Sequence, residues 1–238
     1  MIQTEGIFVG GSAISAPIIG EDFNWSGGDG TYQVLDDGGG NWRIKFLSSG
    51  TFTPLKNMVV DAFLVGAGSG SGSSYCGGGG AGYTTTVRSI VLTANTPYPI
   101  VVGAAGTNGN PSSAGGETTA FTASAAGGKK TSNGTSSRKH SGGNGGSGGA
   151  GYVSPTGMTT GGTDGGDGTD SVTAGGKGQG TTTREFGEAD GTLYASGGGS
   201  NLSATVANSG NGGYHVSVRN IEPADGIVVI RQHKEVAA

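Results

Sequence analysis

The stretch richest in candidate ligands is GGDGTDSVT, residues 165–173. It fits the calcium-binding nonapeptide G-G-x-G-x-D-x-U-x, with Asp170 as the carboxylate and Val172 as the apolar residue. Calcium takes six or more oxygens, of which Asp164, Asp167, Asp170 and turn carbonyls would supply several. A site of this kind is built from consecutive repeats, however, and the next nonapeptide, GGKGQGTTT, contains no Asp. The expectation is no metal and no cofactor, with these carboxylates solvating an outer face.

Other stretches fail as catalytic motifs for reasons of spacing. VVDAFLVGAGSGSG suggests a strand entering a dinucleotide fingerprint, but the third glycine position is Ser71 and no helix follows to receive a pyrophosphate. GGKKT at 127–131 lacks the phosphate-loop glycine at the required offset. GGSGG at 145–149 matches a nucleophile elbow in letters only, because it sits inside a glycine triplet run. His140, His215 and His233 show no ligand spacing with one another or with Cys76, and His215 falls in a strand-like run. Glu185, Glu188 and Asp190 are the carboxylates that a glycan-cleaving enzyme would have to bring together. Nothing in the sequence points to a triad of distant residues, so the chain reads as having no catalytic residues.

Binding is better supported than catalysis. KKTSNGTSSRKHS, residues 129–141, gathers Lys129, Lys130, Arg138, Lys139 and His140 in a chain whose net charge is −4. Such a local reversal of sign suits phosphate or carboxylate groups of a bacterial envelope. Two further segments carry aromatic or thioether side chains: YVSPTGMTT with Tyr152 and Met158, and REFGEADGTLYAS with Phe186 and Tyr194. Aromatics and arginines are favoured anchors. Loops 129–141 and 181–196 are expected at one end of the molecule, with Phe186 and Tyr194 exposed beside the cations.

These segments need a scaffold, and the scaffold is glycine. The chain has 54 glycines in 238 residues, far above the usual share of about 7%. Apolar runs bounded by Gly, Asn or Pro nevertheless recur and read as strands. They predict a strand, a turn over 36–41 and a strand from Trp42 to Leu47. A strand pair ending in Val59–Val65 follows, then Tyr83–Leu92, Tyr98–Val102, Tyr214–Arg219 and Ile227–Gln232. Between Gly66 and Gly213, glycine blocks alternate with polar segments and hold a period of three, as in Gly142, Gly145, Gly148 and Gly151. Three residues per turn is the period of polyproline II, which has no internal hydrogen bonds. Buried backbone must be paired, so such segments have to bond to one another sideways. The fold is predicted to be all-β, an antiparallel β framework bracketing packed polyproline II helices. Segments 142–151, 161–169 and 175–180 are expected to cross the molecule once each. Residues 1–50 are expected to form an N-terminal β segment for attachment or oligomerisation, and 51–238 the glycine-rich domain.

FLVGAGSGSGSSYCGGGGAGY, then YPIVVGAAG and finally DGIVVIRQ resemble the glycine-rich domain of phage and prophage tail proteins. The alternation of blocks and loops over 103–213 is similar to T-even-type tail-fibre tip adhesins, in which a polyproline II sandwich carries variable loops to the host receptor. A related arrangement occurs in the glycine-rich ectodomain of anaplastic lymphoma kinase receptors, so the architecture alone does not imply a phage. The N-terminal part departs from those adhesins, and their mode of fibre attachment does not carry over.

The resemblance implies a tail-fibre or tail-tip protein that displays loops to a host cell-surface glycan or outer-surface protein. The alternative it leaves is a structural tail or baseplate component. It also implies other tail proteins as partners, a homotrimer, and a place in the virion after assembly in the host cytoplasm. Only 13% of residues are charged, which offers no basic surface for nucleic acid. The single Cys76 fits a reducing compartment. The start, MIQTEGIFVGG, predicts no secretory signal, and no apolar run approaches the length of a membrane helix.

Overall fold

A computed structural model describes residues 22–72, 76–131, 142–151, 153–154, 157–158, 176, 182–199, 206–216 and 219–233. The fold is all-β and every strand pairing is antiparallel. One five-stranded sheet has the order β2 (Tyr32–Gly38), β3 (Asn41–Phe46), β14 (Ile227–Gln232), β5 (Met58–Val65) and β6 (Thr84–Leu92). The other has the order β1 (Phe23–Trp25), β4 (Gly50–Pro54), β7 (Tyr98–Val101), β8 (Thr118–Ala120) and β9 (Ala123–Ala125). Two hairpins complete the described strands, β10 (Val153–Ser154) with β11 (Gly157–Met158) and β12 (Tyr214–Val216) with β13 (Arg219–Ile221).

The pattern of two along β5 and β14 assigns each side chain to a face. Ala62, Leu64, Val228 and Ile230 point into a core shared with Phe46 and Phe52, between the two sheets. Phe63, Val65, Ile227 and Val229 point the other way, into a second core with Phe186, Tyr194 and Ala195. From Val60 onward both faces of β5 are therefore buried, which is why its sequence, MVVDAFLV, is a nearly continuous apolar run.

Three expectations change. The predicted strand pair ending in Val59–Val65 is not a pair, because β4 bonds to β1 and β7 while β5 bonds to β14 and β6. The predicted strand Tyr214–Arg219 is a hairpin, with Tyr214 opposite Ile221. Strands before residue 50 belong to the same sheets as those after it, since β1 pairs with β4 and β3 with β14.

Beyond the first sheet, β5 runs directly into 66–72, and 77–83 returns into β6. Here the hydrogen bonds change period. Gly78 and Ala81 donate to Ala150 and Ser147, Gly79 and Gly82 to Gly213 and Gly210, and Gly80 and Tyr83 to Lys129 and Ala126. Each third residue returns to the same neighbour, so this segment has three partners where a strand has two. The 66–72 segment repeats the pattern, with Gly66 and Ser69 donating to Tyr83 and Gly80, and Ala67 and Gly70 to Gly116 and Ser113. The direction of donation thus repeats every third residue.

Neighbouring backbones meet where a Cβ would otherwise stand. A carbon built on Gly68, Gly78, Gly80 or Gly82 would fall within the radius of a backbone oxygen, of Asn211, Gly198, Asn144 and Gly66 respectively. Two buried serines bond inward, Ser69 Oγ to Lys129 O at 2.7 Å and Ser71 Oγ to Gly77 O at 2.8 Å.

The block 142–151 does not cross the molecule once. Gly143 donates to Gly78, the chain bends at 146–147, and Ala150 again lies beside Gly78. Gly149 donates to Gly143 at 2.9 Å, joining the two short passes. The segments 161–169 and 175–180 lie outside the described residues, apart from Gly176, which donates to Gly148 and accepts from Gly197.

Gly145 faces Ala81 O so closely that no side chain fits. Gly145→Val should cost about 3 kcal/mol or more, the upper end for overpacked cores. A thermal midpoint lowered by several degrees or more is the expected result, and an unchanged midpoint would refute close packing at this position.

Candidate functional site

Loops leave the glycine bundle at the end farthest from the sheets. Gly72 lies seven residues past the end of β5, about 20 Å in extended chain. Its N–H donates to Thr131 Oγ1 at 3.2 Å. Ser112 Oγ is 3.5 Å from the same hydroxyl. A Cβ on Gly77 would meet both Ala150 O and Gly142 N, so those segments are neighbours as well. Gly72, Cys76, Ser112, Thr131, Gly142 and Ala150 thus lie within one cluster of contacts. Burial pushes the Cys76 thiol up and keeps it protonated, which leaves it a packing residue.

Lys129 and Lys130 are exposed at the root of the loop that follows Thr131. Lys129 is fixed through its backbone, with its N–H on Asn144 O at 2.7 Å and its carbonyl accepting from Gly80. Arg138, Lys139, His140 and Tyr152 lie outside the described residues, as do Asp164, Asp167 and Asp170 and the side chain of Met158 in β11.

Phe186 and Tyr194 are corrections. They are 2% and 6% exposed, in the core cluster on the outer face of the first sheet. Both rings pack on Phe63 of β5, with centroids 6.1 and 5.6 Å from it. The outer face of the first sheet needs an apolar cover, and the glycine segments have no large side chains to supply one. Segment 182–195 supplies it, through a 3-10 turn at Glu185–Gly187 in which Phe186 adopts φ 57°. Phe186 and Tyr194 therefore do not supply exposed aromatic anchors.

The charges that made 184–190 read as a display loop hold it down. Glu185, 2% exposed, accepts from Arg43 Nη1 at 2.5 Å and from Tyr194 Oη at 3.2 Å, and Lys45 Nζ lies 3.4 Å away. Burial first, and then the Glu185 charge, push the Tyr194 phenol up. Glu188 bonds instead to Arg231 Nη1 at 2.7 Å, and Asp190 is exposed. The three carboxylates do not converge on one cleft.

A second polar centre lies farther along the same face. Asp61 is completely buried in β5, where the register with β6 slips so that it faces both Arg88 and Ser89. Arg231 Nε and Arg88 Nη1 lie 3.2 and 3.3 Å from its Oδ2. Ser89 N–H donates to Oδ1 at 3.1 Å, and His233 Nδ1 is 2.7 Å from the same atom. Burial by itself would raise this carboxyl, but His233, the Ser89 N–H and Arg231 together hold it below its ordinary value. Arg231 also stacks over Phe186 at 4.1 Å, which couples the centre to the covering segment.

The sequence reading missed this cluster. Its visible signal was one carboxylate inside MVVDAFLV and one arginine in each of two other apolar runs, VRSIVLT and GIVVIRQ.

Residues 47–232 match the family model for a glycine-rich domain. The chain belongs to the glycine-rich domain family. No curated protein matches it significantly. In this glycine-rich domain the matched region opens at the end of β3 and closes with β14, so it spans the bundle, its loops and the strands that root them.

Because Tyr194 is a core ring, Tyr194→Ala should destabilise the fold by roughly 3–5 kcal/mol, in the range for large aromatic deletions. Chemical denaturation would show it, and a shift below about 1 kcal/mol would contradict its burial. Asp61 gives a pH dependence of known sign. A carboxyl lowered in the folded state stabilises above its unfolded pKa of about 3.9, and that contribution is lost as pH falls through the folded value. The unfolding midpoint in urea should drop as pH is taken below about 4, and the drop should be smaller in Asp61→Asn.

Proposed function

We propose that this glycine-rich domain is a phage-type tail-fibre or tail-tip protein that displays loops for binding a host cell-surface glycan or outer-surface protein. The observation that supports the reading is the cluster of Gly72, Cys76, Thr131 and Gly142 at the ends of glycine segments whose backbones are hydrogen-bonded to one another. Rigid roots let loop sequences vary without cost to the scaffold, and binding residues are disproportionately found on such loops. The resemblance to tail-protein glycine-rich domains supplies the biological setting, with a homotrimer in the virion and other tail proteins as neighbours.

The binding residues in this reading are Lys129, Lys130, Arg138, Lys139, His140, Tyr152 and Met158. Phe186 and Tyr194 are withdrawn from it because they are core. Cations gathered in one segment of an otherwise acidic chain suit an anionic glycan or an acidic protein surface.

The test is staining of a panel of bacterial cells by the fluorescently labelled full chain. The chain should stain a subset of strains. Lys130→Ala, Arg138→Ala and Lys139→Ala together should lower that staining at least tenfold while the unfolding midpoint stays unchanged. Staining of no strain, or equal staining by the folded triple variant, would favour a structural tail component.

A further inference from the structure

The Asp61 centre holds a constellation that structural pairing alone does not use. His233 Nδ1 lies 2.7 Å from Asp61 Oδ1, and His233 Nε2 lies 3.2 Å from Ser89 Oγ. The three residues come from β5, from β6 and from just past β14, which the sheet brings side by side. Asp61 is fully buried, the His233 side chain is 22% exposed and Ser89 is exposed, so the polar chain runs from interior to solvent. Ser89 also has φ 58°, a left-handed conformation that an ordinary strand residue avoids and that the register slip imposes.

We propose that Ser89, His233 and Asp61 form a nucleophilic triad and that Ser89 reacts with carboxylic esters. This goes beyond loop display and departs from the sequence expectation of no catalytic residues. An ionised Asp61 fixes the proton of His233 on Nδ1, which donates to Oδ1 and leaves the Nε2 lone pair facing Ser89. Asp61 is then a positioning residue, and Ser89 and His233 are the groups that meet the substrate.

The first step transfers the Oγ proton to His233 Nε2 as Oγ adds to the ester carbonyl carbon. The carbon–alkoxide bond then breaks, and the alcohol leaves with that proton. Water next adds to the acyl-serine and gives a proton to Nε2. The carbon–Oγ bond breaks, and Oγ recovers a proton as the acid departs. The net change is ester plus water to acid plus alcohol, with no other reactant.

A cleft opens beside His233, with Ser89 outside its lining. Its volume is about 690 Å³, and its wall also carries Trp42, Met58, Val59 and Val91. Val91 is 73% exposed and Val59 40%, so the cleft offers apolar side chains to an acyl group. The Ser89 N–H is committed to Asp61 and is not free to bind an oxyanion. Turnover should therefore be slow, and covalent capture is the more direct readout.

The experiment is incubation of the full chain with an alkyl fluorophosphonate, followed by intact mass and peptide mapping. Attack by Oγ on phosphorus expels fluoride and leaves a stable serine adduct. One adduct per chain on Ser89 is expected, and labelling should slow at least tenfold in His233→Ala. The adduct should vanish in Ser89→Gly, which suits the positive φ and so keeps the fold. Hydrolysis of p-nitrophenyl butyrate should fall in the same variants. No adduct on the folded wild-type chain, an adduct that persists in Ser89→Gly, or a His233→Ala chain that labels at the wild-type rate would overturn the triad.

Discussion

Backbone bonding sideways to backbone, at a distance that leaves no room for Cβ, is the constraint from which the rest of this protein follows. A segment with three residues per turn exposes donors in three directions, and each must be met by another segment. In 77–83 all three directions are filled, by 142–151, 210–213 and 126–129. The glycines are the core of this half of the molecule. Their ordering is entropically costly, and a dense array of buried hydrogen bonds offsets it.

The two sheets solve the problem such a bundle creates. Glycine segments carry almost no apolar side chains, so they cannot define their own ends. β5 and β6 root 66–72 and 77–83, and the aromatic core between the sheets holds those roots. The outer face of the first sheet is then left open, and segment 182–195 closes it with Phe186 and Tyr194. The division of labour separates the ends chemically. Loop anchors collect at the far tip, while buried charges collect where strands meet, around Glu185 and Asp61.

Much of this is legible in the sequence. The strand runs from Tyr32 to Val101 and Ile227–Gln232 are bounded by turn residues and show the expected composition, and the glycine period of three points to lateral pairing. What escaped was long-range. Nothing local tells β4 to leave its neighbour β5 for the other sheet, or tells 142–151 to fold back at 146–147. Arg184–Asp190 reads as a solvated loop until its partners Arg43, Lys45 and Arg231 are known, and those lie far away in the chain. Ser89, His233 and Asp61 are invisible for the same reason, since 144 residues separate Ser89 from His233.

Amide hydrogen exchange at 77–83 shows directly whether these glycines are core. If these glycines form a paired core, the N–H groups of Gly78 to Tyr83 should be protected as strongly as those of Phe63 and Leu64 in β5, and should open only with global unfolding. Exchange at the rate of an unstructured glycine peptide, while β5 stays protected, would show that the sheets fold without the bundle and that glycine here is linker rather than core.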